Sequence, residues 1–279
     1  MTWEEAIQDL RKKPENKQAI LDNYFEENLY ESADRFLHSE EFKALKKILP
    51  ANAKTALDIG AGRGISSIAL ALQGIETTAL EPDPSNDVGA GAIKKLAEHF
   101  HLKISVIESF GESLPFLNNS FDIVYVRQVL HHAHDLQQFC KEVARVLKPG
   151  GTFIATREHV LSNESDLAAF LKNHPLHHLY GGENAFTLAF YTNCIRKAGL
   201  KPIKILHPYA SELNFAPLSL AEMKLNFTLR LSKFIGQSMA TLLINVPAIF
   251  KLLTLLKANS DNTPGRLYSF ISIKPGEEL

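Results

Sequence analysis

The sequence predicts an α/β protein built on a parallel, doubly wound sheet. Three observations carry that prediction: short β-rich runs alternate with helix-period segments, a glycine-rich turn follows the first run, and a carboxylate closes the second. The runs "KTALDIG", "IETTALE", "KISVIES", "FDIVYVR" and "GTFIATRE" read as strands. Between them, "ISSIALALQG", "DVGAGAIKKLAEHF" and "DLQQFCKEVARVL" carry apolar residues at helical spacing. Gly74 stands where a helix would end, and "KPGG" at 148–151 makes a turn into the next strand.

Upstream, residues 3–49 read as two or three amphipathic helices, with Ile20, Leu21, Tyr24, Phe25 and Leu29 at helical intervals. Downstream come a histidine-rich loop, a helix over "FTLAFYTNCIRKAG", a strand over "KPIKILHPY", a helix-leaning stretch and a final strand "RLYSFISI". This divides the chain into an N-terminal helical cap (1–50), a core (51–210 with 263–279) and a helical insertion (211–262). The insertion is too long for an ordinary connection and is expected to cap a substrate pocket.

Composition limits the function classes. The 279 residues are 45% hydrophobic and 22% charged, as in an ordinary soluble domain. Thirty basic residues against thirty-one acidic ones leave a net charge of −1, so no overall field gathers nucleic acid. Cys140 and Cys194 lie in helix-like sequence without a C-x-x-C spacing, which argues against disulfides and zinc and for a reducing cytoplasm. "MTWEEAIQDLRKK" lacks the apolar run of a secretory signal. The seventeen residues "FIGQSMATLLINVPAIF" include Gln237, Ser238, Thr241, Asn245 and Pro247, whereas a membrane span needs about 20 predominantly apolar residues. No stable membrane insertion is therefore expected.

The glycine turn is the most informative feature. In "LDIGAGRGISSIAL", Gly60, Gly62 and Gly64 follow Asp58, while the dinucleotide fingerprint G-x-G-x-x-G would place its last glycine where Ile65 stands. Such a turn lets the backbone approach a ligand without the cradle that a pyrophosphate requires. Glu81 closes the second strand, where a carboxylate accepts hydrogen bonds from ribose hydroxyls. "IESFGESLPF" follows the third strand and offers Phe110 for stacking on a base.

"ALDIGAGRG", Glu81, "ESLPFLNNSFDIVYVRQVLHHAHD" and "EVARVLKPGG", in order and at spacing, resemble the class I S-adenosylmethionine-dependent methyltransferases, in particular the group similar to ubiquinone and menaquinone biosynthesis methyltransferases. The resemblance covers about residues 55–160. It implies a Rossmann-like, seven-stranded sheet with an antiparallel last strand, and S-adenosylmethionine as cofactor with S-adenosylhomocysteine as product. By position, Asp58 and the backbone of Gly60, Ala61, Gly62 and Gly64 would face the methionyl part. Glu81 and Pro82 would hold the ribose, Ser109, Phe110 and Gly111 the adenine, and Arg127 would stand near the sulfonium. Similar proteins often carry an acidic residue where Phe110 stands, so the adenine contact departs from the pattern. Arg35 offers a charge for the cofactor carboxylate, with an ordinary surface arginine as the plainer reading.

Methyl transfer from a sulfonium is an in-line displacement that needs alignment above all. A hydroxyl acceptor adds the need for a base, and histidine is suited to it. The catalytic candidates are His132, ranked first because it matches a position that is commonly histidine in the resembling group, then His131 and His159. His174, His177, His178 and Tyr180 lie in "NHPLHHLYGGEN", which reads as a substrate-contacting lid hinged at Gly181 and Gly182. With Glu183, its H-x-x-H-H spacing matches no common metal motif, so no metal is expected. The expected activity is methyl transfer to a small molecule, with O-methylation and a lipophilic or quinone-like acceptor preferred. A non-catalytic cofactor-binding protein of the same fold is the alternative. A nicotinamide enzyme is disfavoured by the early Gly64. The insertion's apolar stripes leave four readings open: packing onto the core, a lipophilic tunnel, a homodimer interface, or membrane-surface contact.

Overall fold

The computed structural model describes residues 1–276. Four short helices open the chain: α1 (Trp3–Arg11), α2 (Lys17–Asn23), α3 (Leu29–His38) and α4 (Glu40–Lys46). Side-chain caps set most of their starts. Thr2 and Glu5 form a capping box on α1, Asn28 caps α3, and Ser39 caps α4.

The α/β core follows as β1 (Thr55–Ile59), α5 (Ile65–Ala71), β2 (Glu76–Leu80), α6 (Ala90–His99), β3 (Ile104–Ile107), β4 (Phe121–Arg127), α7 (Leu136–Val146) and β5 (Leu147–Leu161). Beyond it come α8 (Leu167–Asn173), α9 (Pro175–Leu179), β6 (Phe186–Thr187), α10 (Leu188–Lys197), β7 (Lys201–Leu206) and α11 (Glu212–Phe215). α12 (Leu220–Ile235), α13 (Gln237–Ile244), α14 (Pro247–Ser260) and β8 (Arg266–Ile273) complete the order.

Seven strands run in the order β3-β2-β1-β4-β5-β8-β7, and the two-residue β6 pairs with the far end of β5. β1 to β5 are mutually parallel along this path, while β8 is antiparallel to both β5 and β7. The sheet therefore has the predicted Rossmann-like topology with a reversed last strand, and β6 is an addition that the sequence reading folded into a helix.

Strand alternation gives each residue its layer. Leu57, Val124, Val126 and Phe153 face one side, where α7 and α10 bury Phe139, Cys140, Tyr191 and Cys194. Ala56, Ile123, Tyr125 and Ile154 face the other, packing under Phe36 and Leu45 of the N-terminal helices and Ile68 of α5. Both cysteines are buried free thiols. Large side chains fill both layers, so the carboxyl ends of β1, β2 and β4 are held rigidly where the chain turns into its crevice.

α12, α13 and α14 have the opposite pattern. Their buried positions include the small residues Thr228, Ala240, Thr254 and Ala258, whereas Phe234, Leu242, Leu252 and Leu256 are exposed, Phe234 at 86%. Among the described residues no single helix is long and apolar enough to cross a membrane, although α13 and α14, bent by 96° at their junction, pass that test as a pair.

Candidate active site

The site is built first from the turn after β1. Gly60 has φ +64°, and a β-carbon there would meet Val129 Cγ2 at 2.6 Å, so close approach and left-handed backbone both demand glycine. Gly64 opens α5 at φ +84°, with Ile93 3.0 Å from a would-be β-carbon. Both lines of packing force the turn to expose its backbone.

Asp58 does not face the crevice. Its Oδ2 accepts from Ser66 Oγ at 2.7 Å and Ser67 Oγ at 2.6 Å, pinning the first turn of α5 from beneath. Burial pushes its carboxyl up to about 6, with the two hydroxyls opposing the shift. Its expected contact with a cofactor is thus replaced by a supporting role, and Gly64 likewise stands behind the crevice wall.

Gly60, Ala61 and Gly62 do line the crevice, together with Glu81, Pro82, Ser109, Phe110 and Gly111. Glu81 accepts from Gly62 N at 2.7 Å and from Asp83 N at 2.9 Å, which ties the turn to the end of β2. Burial raises its carboxyl to about 7 against these backbone donors. A carboxylate has about four acceptor sites, so two amides leave capacity for ribose hydroxyls. Phe110 is 62% exposed at the edge of this wall and therefore free to cover a ring.

The turn also carries a residue that the sequence reading passed over. Arg63 is buried and donates to Tyr24 O at 2.8 Å, Glu26 O at 2.7 Å and Asp87 O at 2.9 Å. Arg11 joins it on Asp87, so two cations and one carboxylate bind the N-terminal helices to the glycine turn. The available signal was a large cation inside a glycine turn, where it must find partners. Arg63 is thus committed to the N-terminal helices and Asp87.

Arg127 lines the crevice but is similarly committed. Its Nε lies 2.7 Å from Glu41 Oε1 and its Nη2 3.1 Å from Glu41 Oε2, both side chains being buried. Burial disfavours the Glu41 carboxylate, but Arg127 and then Arg157 more than offset it, holding the carboxyl below its ordinary range. Arg127 thus anchors α4 to β4. Arg35 is bound to Glu26 and the Leu21 carbonyl and stacks over Tyr24, which accounts for its charge without a ligand.

The histidines gather at the other end. His131 Nδ1 lies 2.8 Å from Glu158 Oε2, and the same carboxylate accepts from Val129 N at 3.0 Å and His131 N at 3.3 Å. His132 and His159 rings stand 4.2 and 4.7 Å from His131, and His174 stands 5.5 Å from His159. Burial lowers the pKa of all four imidazoles, that of His174 to about 4, so they are neutral proton acceptors near pH 7. Glu183 packs among them, its carboxyl raised by burial to about 7.

The 174–183 segment covers this end by docking on α1. Leu176 packs with Ile7 and Leu10, and Tyr180 meets the Trp3 ring edge-on at 5.3 Å. Of the four expected substrate contacts, His174 and Tyr180 line the crevice, while His178 bonds to Lys172 O at 2.7 Å and His177 stands off the wall. None of the lining residues comes from the 211–262 insertion; Trp3, Asn23, Tyr24 and Phe25 roof the cavity instead. The whole forms one cavity of about 650 Å³ that runs from the glycine turn to the histidines.

The strand order with its reversed last strand is the Rossmann-like order expected of a class I methyltransferase fold. Residues 57–155 match the family described as "Methyltransferase domain", and the similar proteins include ones named for ubiquinone and menaquinone biosynthesis. The chain is 31% identical over 155 residues to the uncharacterized methyltransferase YcgJ of Bacillus subtilis, covering 52% of this chain and 56% of that one. It is 29% identical to a ubiquinone biosynthesis O-methyltransferase of Methylobacterium nodulans, covering 57% of this chain and 64% of the relative. The chain spans between 30% and 64% of the curated relatives it matches. The solved structure of the cyclase SpnF is also similar, at a TM-score of 0.56 and 19% identity over 88% of this chain and 82% of that one. A cyclase on this fold shows that the fold alone does not fix the reaction.

Proposed function

We propose that this protein is an S-adenosylmethionine-dependent methyltransferase acting on a small molecule. The observation that carries the reading is the continuous cavity. Its one end presents Gly60 to Gly62, Glu81 and Ser109 to Gly111, and its other end presents neutral imidazoles. S-adenosylmethionine supplies the methyl group from its sulfonium.

The chain's own contribution is alignment and dryness. Glu81 and the turn backbone fix the nucleoside, Phe110 covers the adenine, and Trp3 with Tyr180 closes the roof over the acceptor. Excluding water here strengthens each polar contact and brings acceptor and methyl group to reacting distance. For a hydroxyl acceptor, an imidazole of the histidine end takes the proton. His132, the more exposed and therefore reachable of the pair, is the first choice, and the His131–Glu158 pair holds the ring beside it. This favours O-methylation, and the aromatic roof favours a flat, lipophilic or quinol-like acceptor.

The exposed faces of α12 to α14 suit contact with an anionic bilayer surface, as Lys224, Arg230, Lys233, Lys251 and Lys257 stand against Glu222 alone on these helices. Such contact would bring a lipophilic acceptor to the enzyme without a membrane span. The test is transfer of labelled methyl from S-adenosylmethionine to a panel of quinols, phenols, lipids and sugars. Turnover confined to hydroxyl-bearing aromatic acceptors is expected. Labelling of amines or carbanion-forming carbons alone would overturn the O-methylation reading.

A further inference from the structure

The histidine end has a geometry that proton acceptance does not require. His131 Nε2 lies 3.7 Å and His132 Nε2 3.9 Å from the same Glu183 oxygen, Oε2, and His174 Nδ1 lies 3.8 Å from Glu183 Oε1. These are too long for hydrogen bonds. Glu183 Oε2 and His174 Nδ1 are buried and have no hydrogen-bond partner among the described residues. A carboxylate with a 3% exposed side chain and an unpartnered oxygen is a costly feature unless something cationic satisfies it.

The opposite nitrogens are already spoken for. His131 Nδ1 faces the Glu158 carboxylate at 2.8 Å, and His132 Nδ1 faces the Gly182 carbonyl at 3.4 Å. This leaves both Nε2 atoms directed at Glu183. A carboxylate or carbonyl behind a histidine, with the far nitrogen turned toward a shared acidic group, is how metal-binding imidazoles are oriented. The donor atoms of His131, His132 and Glu183 all lie within 4.8 Å of one another. An ion with bonds of about 2.0–2.2 Å places its ligands about 3.0–3.5 Å apart, so the two imidazole–Glu183 separations would shorten by about 0.2–0.9 Å and the widest spacing in the cluster by up to about 1–2 Å, a change within reach of side-chain rotation.

We propose that His131, His132 and Glu183 form a binding site for a divalent first-row transition ion, with His174 flanking the other Glu183 oxygen. Two imidazoles and one carboxylate suit zinc, manganese or iron(II) better than magnesium or calcium, which prefer oxygen ligands alone. The site opens onto the acceptor end of the cavity, where a bound ion would hold an acceptor oxygen and favour its ionised form. In that state His132 is a ligand, and the hydroxyl proton is released to solvent as the oxygen coordinates. Only this role in turnover rests on the proposed methyl transfer; the binding itself does not.

The test is equilibrium dialysis of the chelator-treated full chain against Zn²⁺ and Co²⁺, with the visible absorption of Co²⁺ as the coordination signature. One ion per chain and a Co²⁺ band displaced by Zn²⁺ are expected. Glu183→Gln, which keeps shape, and His132→Ala, at a partly exposed position, should each weaken binding by at least about 100-fold. Glu158→Gln should weaken it by about 10- to 100-fold through the orientation of His131. S-adenosylhomocysteine titration of the same samples reports that each variant is folded. Absence of stoichiometric ion binding in a chain that still binds S-adenosylhomocysteine would overturn the metal site alone. So would unchanged binding in Glu183→Gln. Metal binding without nucleoside binding would instead support the metal site and contradict the proposed cofactor.

Discussion

The two faces of β1 and β4 and the outer faces of α12 to α14 use apolar residues in opposite ways. Around the sheet, Tyr125, Phe153 and Ile68 are fully buried, and the buried acids among them are satisfied, Glu41 by Arg127 and Asp58 by two serine hydroxyls. On the three late helices, few positions face inward, several of them small, while Phe234 and Leu242 face solvent. The first region spends its apolar surface on holding a cavity; the second presents it outward. The two regions turn their apolar surface in opposite directions, and substitutions should separate their effects.

The largest effect is expected at Glu41→Gln, which leaves Arg127 buried without its charge partner and should cost about 3–5 kcal/mol, read as a lowered urea midpoint. A loss below about 1 kcal/mol would mean that the pair is open to solvent and that the sheet region is not the rigid half.

Glu81 should impose a pH dependence of nearly that size. Its carboxyl titrates near 7 when folded and near 4.5 in its ordinary state, so the folded chain retains a proton over that window. Unfolding free energy should therefore fall as pH rises from about 4.5 to about 7, by about 3 kcal/mol from this group, and stay level above it. Glu81→Gln should remove that share of the decline; denaturation curves that match the wild type across the window would refute the assignment. The same variant should weaken S-adenosylhomocysteine by about 1.5–3 kcal/mol, the value of hydrogen bonds to a charged group.

The smallest stability effect is expected on the helical insertion. Phe234→Ser with Leu242→Ser should change unfolding free energy by less than about 0.5 kcal/mol, because neither side chain is buried. Sedimentation with vesicles rich in anionic lipid should nonetheless lose the doubly substituted chain. Retained sedimentation would contradict membrane contact through this face, and a loss of several kcal/mol would erase the contrast between the two regions.

Much of the fold was legible because the signals were local. Strand runs bounded by turn residues and Gly74 after α5 follow from patterns within a few residues, whereas the seven-strand sheet with its reversed β8 was implied by the resemblance to class I methyltransferases. The glycine turn and Glu81 were legible for the same reason. Asp58 misled because one-dimensional proximity to the glycines does not say which face of β1 it points from; Ser66 and Ser67, in the first turn of α5, claim it. The N-terminal helical cap was legible from its helical periodicity, but its lining residues were not, because Trp3, Tyr24 and Phe25 look like ordinary apolar positions of amphipathic helices; the Arg63–Asp87–Arg11 bridge and the contacts with the 174–183 segment bring them over the turn. Glu183 gained its place from a chain segment fifty residues beyond His131 and His132, a distance that no spacing rule spans.

The central claim is that the turn after β1 holds a nucleoside cofactor without a pyrophosphate. Calorimetric titration of the unmodified chain with S-adenosylhomocysteine and, separately, with NAD tests it most directly. One S-adenosylhomocysteine per chain, with no heat from NAD, is the predicted result; saturable NAD binding without binding of the thioether nucleoside would contradict it.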